Sequence, residues 1–462
     1  MGRAGERELM DNFAQRIRGR IVRPVDGDYE HARRVYNAAI DRRPAMVVQC
    51  ADANDAIHCV NYAREQGLAL AVRGGGHSAP GFGTCDGGLV ADLSTMRGVR
   101  VDPQNRTARV QGGCTWSDVD RETHAFGLAT PGGIISTTGV GGLATGGGFG
   151  YLSRRHGLVC DNLLSAEVVT ADGELRLVDE RREPDLFWAI RGGGGNFGVV
   201  TSFEFRLYPV SEVYAGPVLF PLERAGDVLR FFRDFMRHAP RELSAFFAFL
   251  MVPPGPPFPQ PLWGRTVCGI MCCCLAEPAA AEEMTRPLRE FGPPLVSLLH
   301  PMPYPFLQSI FDGLLPAGLH HYWKADFVRD LTEEAIAEHV RFGPAIPNIH
   351  SALHIYPMDG AIHDVAADGT AFVHRDVRFV HIIAAVTPDA ASLAAGRDWV
   401  REYWAALHPH SAGGSYMNFL MDEGEERIAS SYGGNGARLA AIKRRYDPAN
   451  LFRLNQNIRP AD

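Results

Sequence analysis

A run of three glycines and a histidine directly follows a short apolar segment of the chain. Residues 73–78 read Arg-Gly-Gly-Gly-His-Ser, and residues 68–72 are apolar. Three consecutive glycines disfavour a helix or a strand interior, but they suit backbone that adopts positive φ or lies against a flat, bulky group. Such a turn can offer several N–H groups to a phosphate while it directs His77 at a neighbouring group. A plain glycine turn with a surface histidine explains the hexapeptide equally well by itself.

Length and composition indicate a globular protein of more than one domain. The chain has 462 residues, of which 46% are hydrophobic and 21% are charged, a balance typical of proteins with a large buried core. The net charge is -7 and no basic block occurs, so we expect no nucleic-acid partner. There is no run of about 18 apolar residues and no secretory signal pattern, so we expect no association with a membrane.

The cysteines and one histidine pair are candidate metal ligands. The chain has nine cysteines, an odd number without the paired spacing of a metal site, and residues 272–274 are three cysteines in an apolar run that predicts a buried strand. These features favour free thiols and a cytoplasmic location. His320 and His321 lack a carboxylate at helical spacing, so a loop or a partly buried histidine pair explains them better, and we expect no metal.

Glycine content divides the chain into three regions. Residues 30–210 carry dense glycine clusters between alternating short strands and helices. Residues 211–413 lose those clusters, and helices alternate there with strands, which predicts a second α+β domain whose sheet is covered by helices. Residues 414–462 end in a polar, asparagine-rich tail. We expect this tail to pack back onto the first region.

Local patterns predict several individual elements of the first region. We expect helices over residues 28–43 and 53–66, the second with apolar residues at helical spacing and with Gly67 at its end. The Asp-Gly pair at residues 172–173 lies between two alternating apolar runs. This pattern predicts a β-hairpin.

One glycine motif formally matches the fingerprint of a nicotinamide dinucleotide site. Gly139, Gly141 and Ala144 fit G-x-G-x-x-A, but that fingerprint requires a strand directly before it and an acidic residue about 20 positions later. Residues 131–138 contain a proline, glycines and hydroxyl residues, which is a poor parallel strand, and residues 146–150 are too glycine-rich to continue a helix. A long glycine-rich loop against an extended cofactor fits the pattern better.

Taken in order, the glycine motifs resemble the vanillyl-alcohol-oxidase, or PCMH-type, family of FAD-binding domains. The motifs that carry this resemblance are residues 73–78, 138–142, 146–158, 168–173 and 191–200. The run Tyr416-Met417-Asn418 and residues 446–458 resemble the berberine-bridge-enzyme branch of that family, and its bacterial members most of all. The resemblance covers residues 30–210 and 414–460, whereas the middle of the chain matches only loosely.

The resemblance implies an α+β fold and a tethered cofactor. It implies a PCMH-type FAD-binding domain of two subdomains, a substrate domain with an antiparallel sheet covered by helices, and a berberine-bridge-type C-terminal segment. The flavin of FAD would be joined through its 8α-methyl group to a ring nitrogen of His77. Many relatives have a second bond to a cysteine, but residues 132–138 contain none, so a single attachment is implied. The implied FAD contacts are Arg73, Gly74, Gly75, Gly76, His77, Ser78, Gly81, Gly133, Ser136, Thr138, Gly139, Gly141, Gly142, Gly146, Gly148, Gly150, Val199, Asn418, Asn455 and Asn457.

Three residues are candidates for catalysis. Tyr416 matches the family tyrosine that faces the flavin and serves as a base or a hydrogen-bonding partner; a free phenol has a pKa of about 10, so a base role requires a site that stabilises the phenolate. Residues 351–357 predict a strand, in which His354 and Tyr356 point to one face. That face lines the substrate site in the resemblance, or it is simply a buried or solvated polar face.

These observations predict an FAD-dependent oxidoreductase, most simply an oxidase. It would transfer a hydride from a C–OH or C–N centre of a small organic or natural-product substrate to flavin N5, with O2 as the acceptor. A flavin-dependent dehydrogenase or an oxidative cyclase of secondary metabolism would use the same site. A nicotinamide dehydrogenase and a non-catalytic flavin-binding protein fit the sequence less well. The sequence does not predict the oligomeric state.

Overall fold

The computed structural model of the protein describes residues 3–462, with side chains from residue 8 onward. In chain order, the helices are α1 (Arg3–Arg16), α2 (Tyr29–Ala32), α3 (Ala53–Gln66), α4 (Trp116–His124), α5 (Val140–Thr145), α6 (Ser153–His156), α7 (Pro184–Ala189), α8 (Ala225–His238), α9 (Pro278–Glu290), α10 (Tyr304–Ser309), α11 (Glu333–Phe342), α12 (Ala390–Leu407), α13 (Glu425–Tyr432) and α14 (Gly436–Tyr446). The strands are β1 (Arg20–Val22), β2 (Met46–Gln49), β3 (Leu70–Arg73), β4 (Leu89–Asp92), β5 (Val99–Asp102), β6 (Thr107–Gln111), β7 (Leu128–Ala129), β8 (Leu163–Val169), β9 (Leu175–Val178), β10 (Val199–Arg206), β11 (Tyr208–Pro209), β12 (Glu212–Phe220), β13 (Leu243–Met251), β14 (Thr266–Cys274), β15 (Val296–Ser297), β16 (His300–Pro303), β17 (His320–Val328), β18 (Ala352–Pro357) and β19 (Phe379–Thr387).

The first sheet has the strand order β1-β2-β4-β3, in which β2 and β3 both run parallel to β4. Helix α3 packs its apolar side onto this sheet, with Ala56, Val60 and Ala63 fully buried. The helix begins where the Asp52 carboxylate accepts two backbone N–H groups and ends where Gly67 adopts φ 63°, a left-handed conformation that glycine adopts readily. The predicted helix over 53–66 is confirmed.

The second sheet is antiparallel, with the order β5-β6-β10-β8-β9. Strands β8 and β9 form the predicted hairpin, and Gly173 adopts φ 84° in its turn. One glycine-rich turn follows β3 of the first sheet. A second glycine-rich loop connects β7 to α5 and leads to the second sheet. These two loops come together between the sheets. These two sheets form the glycine-rich part of the molecule.

The third sheet is large and antiparallel, with the order β15-β12-β14-β13-β18-β19-β17 and with β16 beside β12. Helices α8, α9, α11 and α12 cover one face and share with it a core that includes Phe232, Phe247 and Tyr403. The other face points toward the glycine-rich part. The predicted α+β fold with an antiparallel sheet covered by helices is thereby confirmed.

The C-terminal segment returns to the second sheet. The buried Lys443 ammonium of α14 donates to the backbone oxygens of Asn196 and Phe452 and pairs with Asp447 at 2.7 Å. The Asn196 side-chain oxygen accepts the backbone N–H of Ile458 at 2.9 Å. Because an unpaired ammonium would be costly to bury, these contacts fix the tail against the glycine-rich part.

One expectation about local structure was wrong. The helix expected over 28–43 stops after α2, because the following residues bond elsewhere: Tyr36 N–H donates to the Gly76 carbonyl, and the Asn37 amide donates to Ala79 and His321 carbonyls. These tertiary bonds override helix propensity. Of the two readings of His320 and His321, the structure shows the partly buried pair, since both lie at the start of strand β17, with His321 buried and His320 half-buried.

Two further findings bear on the alternatives. None of the helices in residues 3–462 combines the length and the apolar character that a bilayer crossing requires. Within the same residues, no strand directly precedes Gly139, and the six-residue helix α5 that follows it stops at Gly146. The strand-turn-helix unit of a nicotinamide site is therefore missing at this fingerprint.

Candidate active site

A cavity of about 370 Å³ lies between the glycine-rich part and the large sheet. One side, which we call the glycine wall, consists of residues 73–78, 138, 139, 141, 142 and 194–196. The opposite side, the sheet wall, consists of the cavity-facing side chains of β17, β18 and β19. Residues 416–420 and 454–456 of the C-terminal segment line the remaining side.

The glycine wall is held together by direct contact between two backbones. A Cβ atom on Gly75 would lie 2.5 Å from the Gly139 nitrogen, and one on Gly139 would lie 2.4 Å from the Gly75 nitrogen. Gly76 adopts φ 70°, which only glycine reaches without strain. Glycine is therefore required at residue 75 by the close approach and at residue 76 by the backbone conformation.

The glycine wall also offers what FAD would require. In the described chain, the backbone N–H groups of Gly75, Gly76, His77 and Ser78 donate to no protein acceptor. A Cβ on Gly142 would meet no protein atom within 4 Å, because this glycine borders the cavity. Free N–H groups suit a pyrophosphate, and missing side chains leave space for a planar ring. The wall thus fits FAD.

Arg73 anchors the turn rather than contacting a ligand with its charge. Its guanidinium pairs with the Asp92 carboxylate at 2.7 Å and donates to the backbone oxygens of Ala32 and Arg34. Both charged side chains are buried. Since the guanidinium is fully engaged behind the wall, it fixes where β3 ends and the glycine turn begins.

His77 projects from the turn into the cavity. Its ring stacks on Tyr36, with ring centroids 3.8 Å apart. Burial lowers the pKa of His77 to about 4, an effect that the Thr137 backbone carbonyl partly offsets. At neutral pH the imidazole is therefore uncharged, and one ring nitrogen keeps a free lone pair.

The Tyr416 hydroxyl receives two hydrogen bonds at the edge of the cavity. The Gly148 backbone N–H donates to it at 2.9 Å and the Asn418 amide at 2.8 Å. Burial raises the pKa of Tyr416, and these two donors act in the opposite direction. Phe149 and Phe419 flank the ring, with centroids 4.8 and 5.0 Å from it. This is the environment of a phenol held in one orientation.

The sheet wall brings His354 and Tyr356 together. They lie two residues apart on β18, and the His354 Nδ1 atom is 2.6 Å from the Tyr356 hydroxyl. Both face the cavity, whereas their neighbours Leu353 and Ile355 face the helix-covered core. Burial lowers the pKa of His354 to about 4 and raises that of Tyr356. The pair is uncharged at neutral pH.

Asparagine and glutamine side chains of the C-terminal segment complete the lining. Asn455 donates to the Gly195 carbonyl at 3.1 Å, and Gln456 donates to the Leu420 carbonyl at 2.8 Å. Their side-chain oxygens are buried and accept no hydrogen bond from residues that the structure describes. These two oxygens are available to the N–H groups of a ligand.

Most of the predicted FAD contacts line the cavity, but a minority do not. Those at the cavity are Arg73, Gly74, Gly75, Gly76, His77, Ser78, Gly133, Thr138, Gly139, Gly141, Gly142, Asn418 and Asn455. Those outside its lining are Gly81, Ser136, Gly146, Gly148, Gly150, Val199 and Asn457.

Each exception has a physical reason. Gly81 packs on Ile40, the Ser136 hydroxyl donates to Asp312, and Gly150 packs on the Gly132 carbonyl. Their positions shape the loops behind the glycine wall and do not border the cavity.

The remaining exceptions support other groups. Gly146 leaves space for Asn418, and Gly148 donates to the Tyr416 hydroxyl. Val199 points into the core of the first sheet, and its neighbour Val200 faces the cavity instead, because side chains alternate along a strand. The tail bends so that Gln456, and not Asn457, reaches the cavity.

The sequence did not indicate several of the residues that line the cavity. His321 and Trp323 on β17 border the cavity, as do Asn196 and Gln456. Alternation along β17 would have pointed to the first two, had that strand been recognised. Gln456 lies inside the quoted C-terminal motif, so only its orientation was missing.

Neither a metal site nor a disulfide occurs in the part of the chain that the structure describes. No group of three or more His, Cys, Asp or Glu side chains lies close enough there to hold a metal ion. All nine cysteines are free and buried. Cys114 and Cys160 do not line the cavity.

Comparison with known proteins identifies the two ends of the chain. Residues 44–179 match the family described as FAD binding domain, and residues 415–459 match the family described as berberine and berberine like. The chain is 31% identical to an FAD-linked oxidoreductase of Dictyostelium discoideum, over 99% of this chain and 98% of that protein. It is 30% identical to (R)-6-hydroxynicotine oxidase of Paenarthrobacter nicotinovorans, over 96% and 97%.

The fold matches two oxidases of known structure. The crystal structure of 6-hydroxy-D-nicotine oxidase from Arthrobacter nicotinovorans superposes with a TM-score of 0.86 and 27% identity, covering 96% of this chain and 98% of that one. A chitooligosaccharide oxidase gives a TM-score of 0.86 at 23% identity, covering 98% and 100%, which shows the shared fold. Together with the cavity, these matches show that the chain belongs to the berberine-bridge-enzyme-like FAD-linked oxidoreductases of the PCMH superfamily.

Proposed function

We propose that this oxidoreductase is an oxidase whose FAD is attached through a single ring nitrogen of His77. It oxidises a C–OH or C–N centre of a small organic or natural-product substrate, and O2 is the electron acceptor. The observation that carries the proposal is the Tyr416 hydroxyl, which accepts hydrogen bonds from Gly148 and Asn418 at the cavity that His77 also borders.

The two donors determine what the Tyr416 hydroxyl can do. A phenol has two acceptor lone pairs and one proton to donate. Gly148 and Asn418 use both lone pairs, and no acceptor for the phenol proton lies among the described residues. The proton therefore points to the cavity, where a substrate oxygen or nitrogen can accept it. The same two donors stabilise a phenolate, the form that would act as a base.

His77 is suited to covalent attachment. Its ring is neutral at neutral pH, because burial lowers its pKa to about 4, and stacking on Tyr36 fixes its plane. A neutral imidazole with a free lone pair is the nucleophilic form of histidine. The lack of a cysteine among residues 132–138 supports attachment at His77 alone.

The remaining lining residues would bind, orient and exclude water. A bound flavin would supply the hydride acceptor for the substrate carbon and, in the proposed oxidase, the two electrons that reduce O2 to hydrogen peroxide. His354 and Tyr356 share a hydrogen bond and face the cavity, so they can hold the substrate heteroatom and pass on its proton. Phe149 and Phe419 keep water away from the Tyr416 ring, which strengthens hydrogen bonds inside the site.

The buried free thiols support a cytoplasmic location. All nine cysteines are reduced and enclosed by the fold, and burial raises the pKa of Cys160 and Cys273. Such thiols are poor nucleophiles and are typical of a reducing compartment.

Acid precipitation tests the attachment. The wild-type protein should give a yellow pellet, because a covalent flavin stays with the chain when the fold is lost. His77→Ala should release the colour to the supernatant, whereas the controls Cys114→Ser and Cys160→Ser should keep it in the pellet. Colour retained by His77→Ala, or lost by either cysteine control, would show that the attachment site is wrong.

The electron acceptor is tested on the same material. After anaerobic reduction with dithionite, admission of air should restore the oxidised spectrum within seconds and produce hydrogen peroxide. Slow reoxidation by air, with fast reoxidation by an artificial quinone, would identify a flavin-dependent dehydrogenase at the same site. A product that is a ring-closed isomer of the oxidised substrate would identify an oxidative cyclase.

A further inference from the structure

The sheet wall presents a flat, mainly apolar surface to the cavity. Its cavity-facing residues alternate with core residues along each strand, as the pleat requires. In the middle of the wall, Ala352 pairs with Ala384, and Ala384 pairs on its other side with Trp323. Two adjacent alanines leave a shelf about 5 Å wide per strand, bounded on one side by the indole of Trp323.

Larger side chains enclose this shelf. Ile382 follows on one side and Val386 on the other, two residues from Ala384 along β19. His354 is paired with Ile382, so its imidazole lies at the same end. A planar body can lie on the two alanines between these groups, whereas a bulky saturated ring system would meet the larger side chains.

No aspartate, glutamate, lysine or arginine side chain faces the shelf among the residues that the structure describes. Arg73 is the one residue with a formally charged side chain in the cavity lining, within the chain as described, and it lies on the glycine wall in a pair with Asp92. The two histidines of the sheet wall are neutral, because burial lowers the pKa of His354 to about 4 and that of His321 to about 3. A cationic amine would lose its hydration here without gaining a counter-ion.

The wall offers only a small number of polar groups. His321 is 1% exposed and faces the cavity, and neither of its ring nitrogens has a hydrogen-bond partner in the described chain. The Trp323 indole N–H is also buried and without a partner there. With His354 and Tyr356, these groups can orient a molecule that has one or two polar atoms. They are too few for the many hydroxyl groups of an oligosaccharide.

We infer that the substrate is an uncharged, flat molecule of mainly aromatic or conjugated surface, which rests on the Ala352 and Ala384 shelf and carries the reacting hydroxyl group toward Tyr416. This inference rests on the proposed function and narrows its substrate class. It sets this protein apart from a relative such as the chitooligosaccharide oxidase, whose name indicates a sugar substrate.

Three probes test the inference on the flavin-loaded protein. Naphthylmethanol, naphthylmethylamine and cellobiose are titrated at neutral pH without oxygen, and binding is read from the change in flavin absorbance. Naphthylmethanol should bind at least about tenfold more tightly than the protonated amine of the same shape, a difference of about 1.4 kcal/mol. Cellobiose should cause no change.

A matched pair of variants tests the role of charge. Ala384→Asp places a carboxylate on the shelf and should reverse the preference, so that the amine binds more tightly than the alcohol. Ala384→Asn has the same shape without the charge and should weaken both ligands without reversing the order. Flavin content and thermal melting verify that each variant is folded, and Ala352→Asp repeats the test if one variant does not fold.

The outcomes separate this inference from the proposed function. A yellow protein that prefers cellobiose, binds the amine as tightly as the alcohol, or responds to none of the three probes contradicts the inference. Flavin attachment and reoxidation by air are measured without any substrate. A colourless protein, or one that air does not reoxidise, contradicts the proposed function instead.

Discussion

The two walls of the cavity are made of different parts of the polypeptide. The glycine wall is made of backbone: Gly75 and Gly139 are in direct contact, and N–H groups of the turn face the cavity. The sheet wall is made of side chains that project from a regular antiparallel ladder, such as Trp323, His354 and Tyr356. A backbone wall fixes one shape where an added atom would meet main chain, as at Gly75 and Gly139. Substitutions in a wall of side chains can change which ligand binds while the strands keep their fold.

Under the proposed function, this difference would separate the cofactor from the substrate. A cofactor common to a whole family suits a wall in which close backbone contacts leave no room for variation, as at Gly75 and Gly139. A substrate that differs among relatives suits a wall whose residues vary while the strand register stays. Substitutions in each wall should therefore affect cofactor binding and substrate oxidation separately.

The largest effect is expected at the contact between the two glycine loops. In Gly75→Ala the new Cβ would lie 2.5 Å from the Gly139 nitrogen, and because both partners are backbone, we expect a loss of more than about 3 kcal/mol of stability together with the flavin. Thermal melting and the ratio of flavin to protein absorbance measure both. In the control Gly436→Ala the Cβ meets nothing within 4 Å and alanine favours a helix over glycine, so neither the melting temperature nor the flavin ratio should fall.

Gly142→Ala sharpens the same point. Its Cβ would meet no protein atom within 4 Å, and alanine favours the helix in which this residue lies by up to about 1 kcal/mol. We therefore expect the Gly142→Ala variant to bind much less flavin than wild type. In its flavin-free form, the variant should melt at no lower temperature than flavin-free wild type. Normal flavin content in this variant would show that the ring does not lie against Gly142.

The next effect concerns Tyr416, which lies where the two walls meet. Tyr416→Phe removes the hydroxyl that, under the proposed function, donates to the substrate, so the rate of flavin reduction should fall by about 10² to 10⁴, while flavin content stays normal. Stopped-flow absorbance measures the rate. Asn418→Ala removes one of two donors and should cost about tenfold. Equal rates in wild type and Tyr416→Phe would remove this tyrosine from the mechanism.

The smallest effect is on the acid stability of the large sheet. His381 of β19 is buried, and burial lowers its pKa to about 4, below the value of about 6.5 in an unfolded chain. The unfolded state therefore binds more protons between these values, so stability is lost as the pH falls from about 6.5 toward 4, by up to about 1.4 kcal/mol per pH unit for this group.

Melting curves across that pH range measure the effect. His381→Gln cannot take up a proton and should flatten the dependence, although it lowers the melting temperature at neutral pH. The exposed His31, changed to Gln, serves as the control and should leave the slope as in wild type. An unchanged slope in His381→Gln would show that this histidine does not contribute.

The sequence predicted the glycine wall well, because glycine identity is itself a statement about backbone. Residues 73–78 and 138–142 indicated backbone that adopts positive φ or lies against a flat group. The structure shows positive φ at Gly76, and it adds a backbone contact between Gly75 and Gly139 that the sequence did not indicate. The sequence also predicted that His354 and Tyr356 share a face, since the period of a strand is two residues. Their roles, like those of Tyr416 and His77, remain predictions.

What the sequence could not predict depends on long-range contacts. The helix expected over 28–43 was lost to bonds that Tyr36 and Asn37 make with residues far along the chain. Strand β17 was not recognised, so His321 and Trp323 were missed. The sequence motif indicated Val199 as a cofactor contact, whereas Val200 faces the cavity in the structure. A motif marks a segment of the chain but not the orientation of each residue in it.

The central claim is that the glycine wall holds one flavin, bound to the chain at His77. Proteolysis of the acid-denatured protein and mass spectrometry of the peptide that contains residue 77 test it most directly. This peptide should carry the mass of FAD, and fragmentation should assign the added mass to the histidine. An unmodified peptide from a protein that was yellow before denaturation, or FAD found on any other residue, would contradict it.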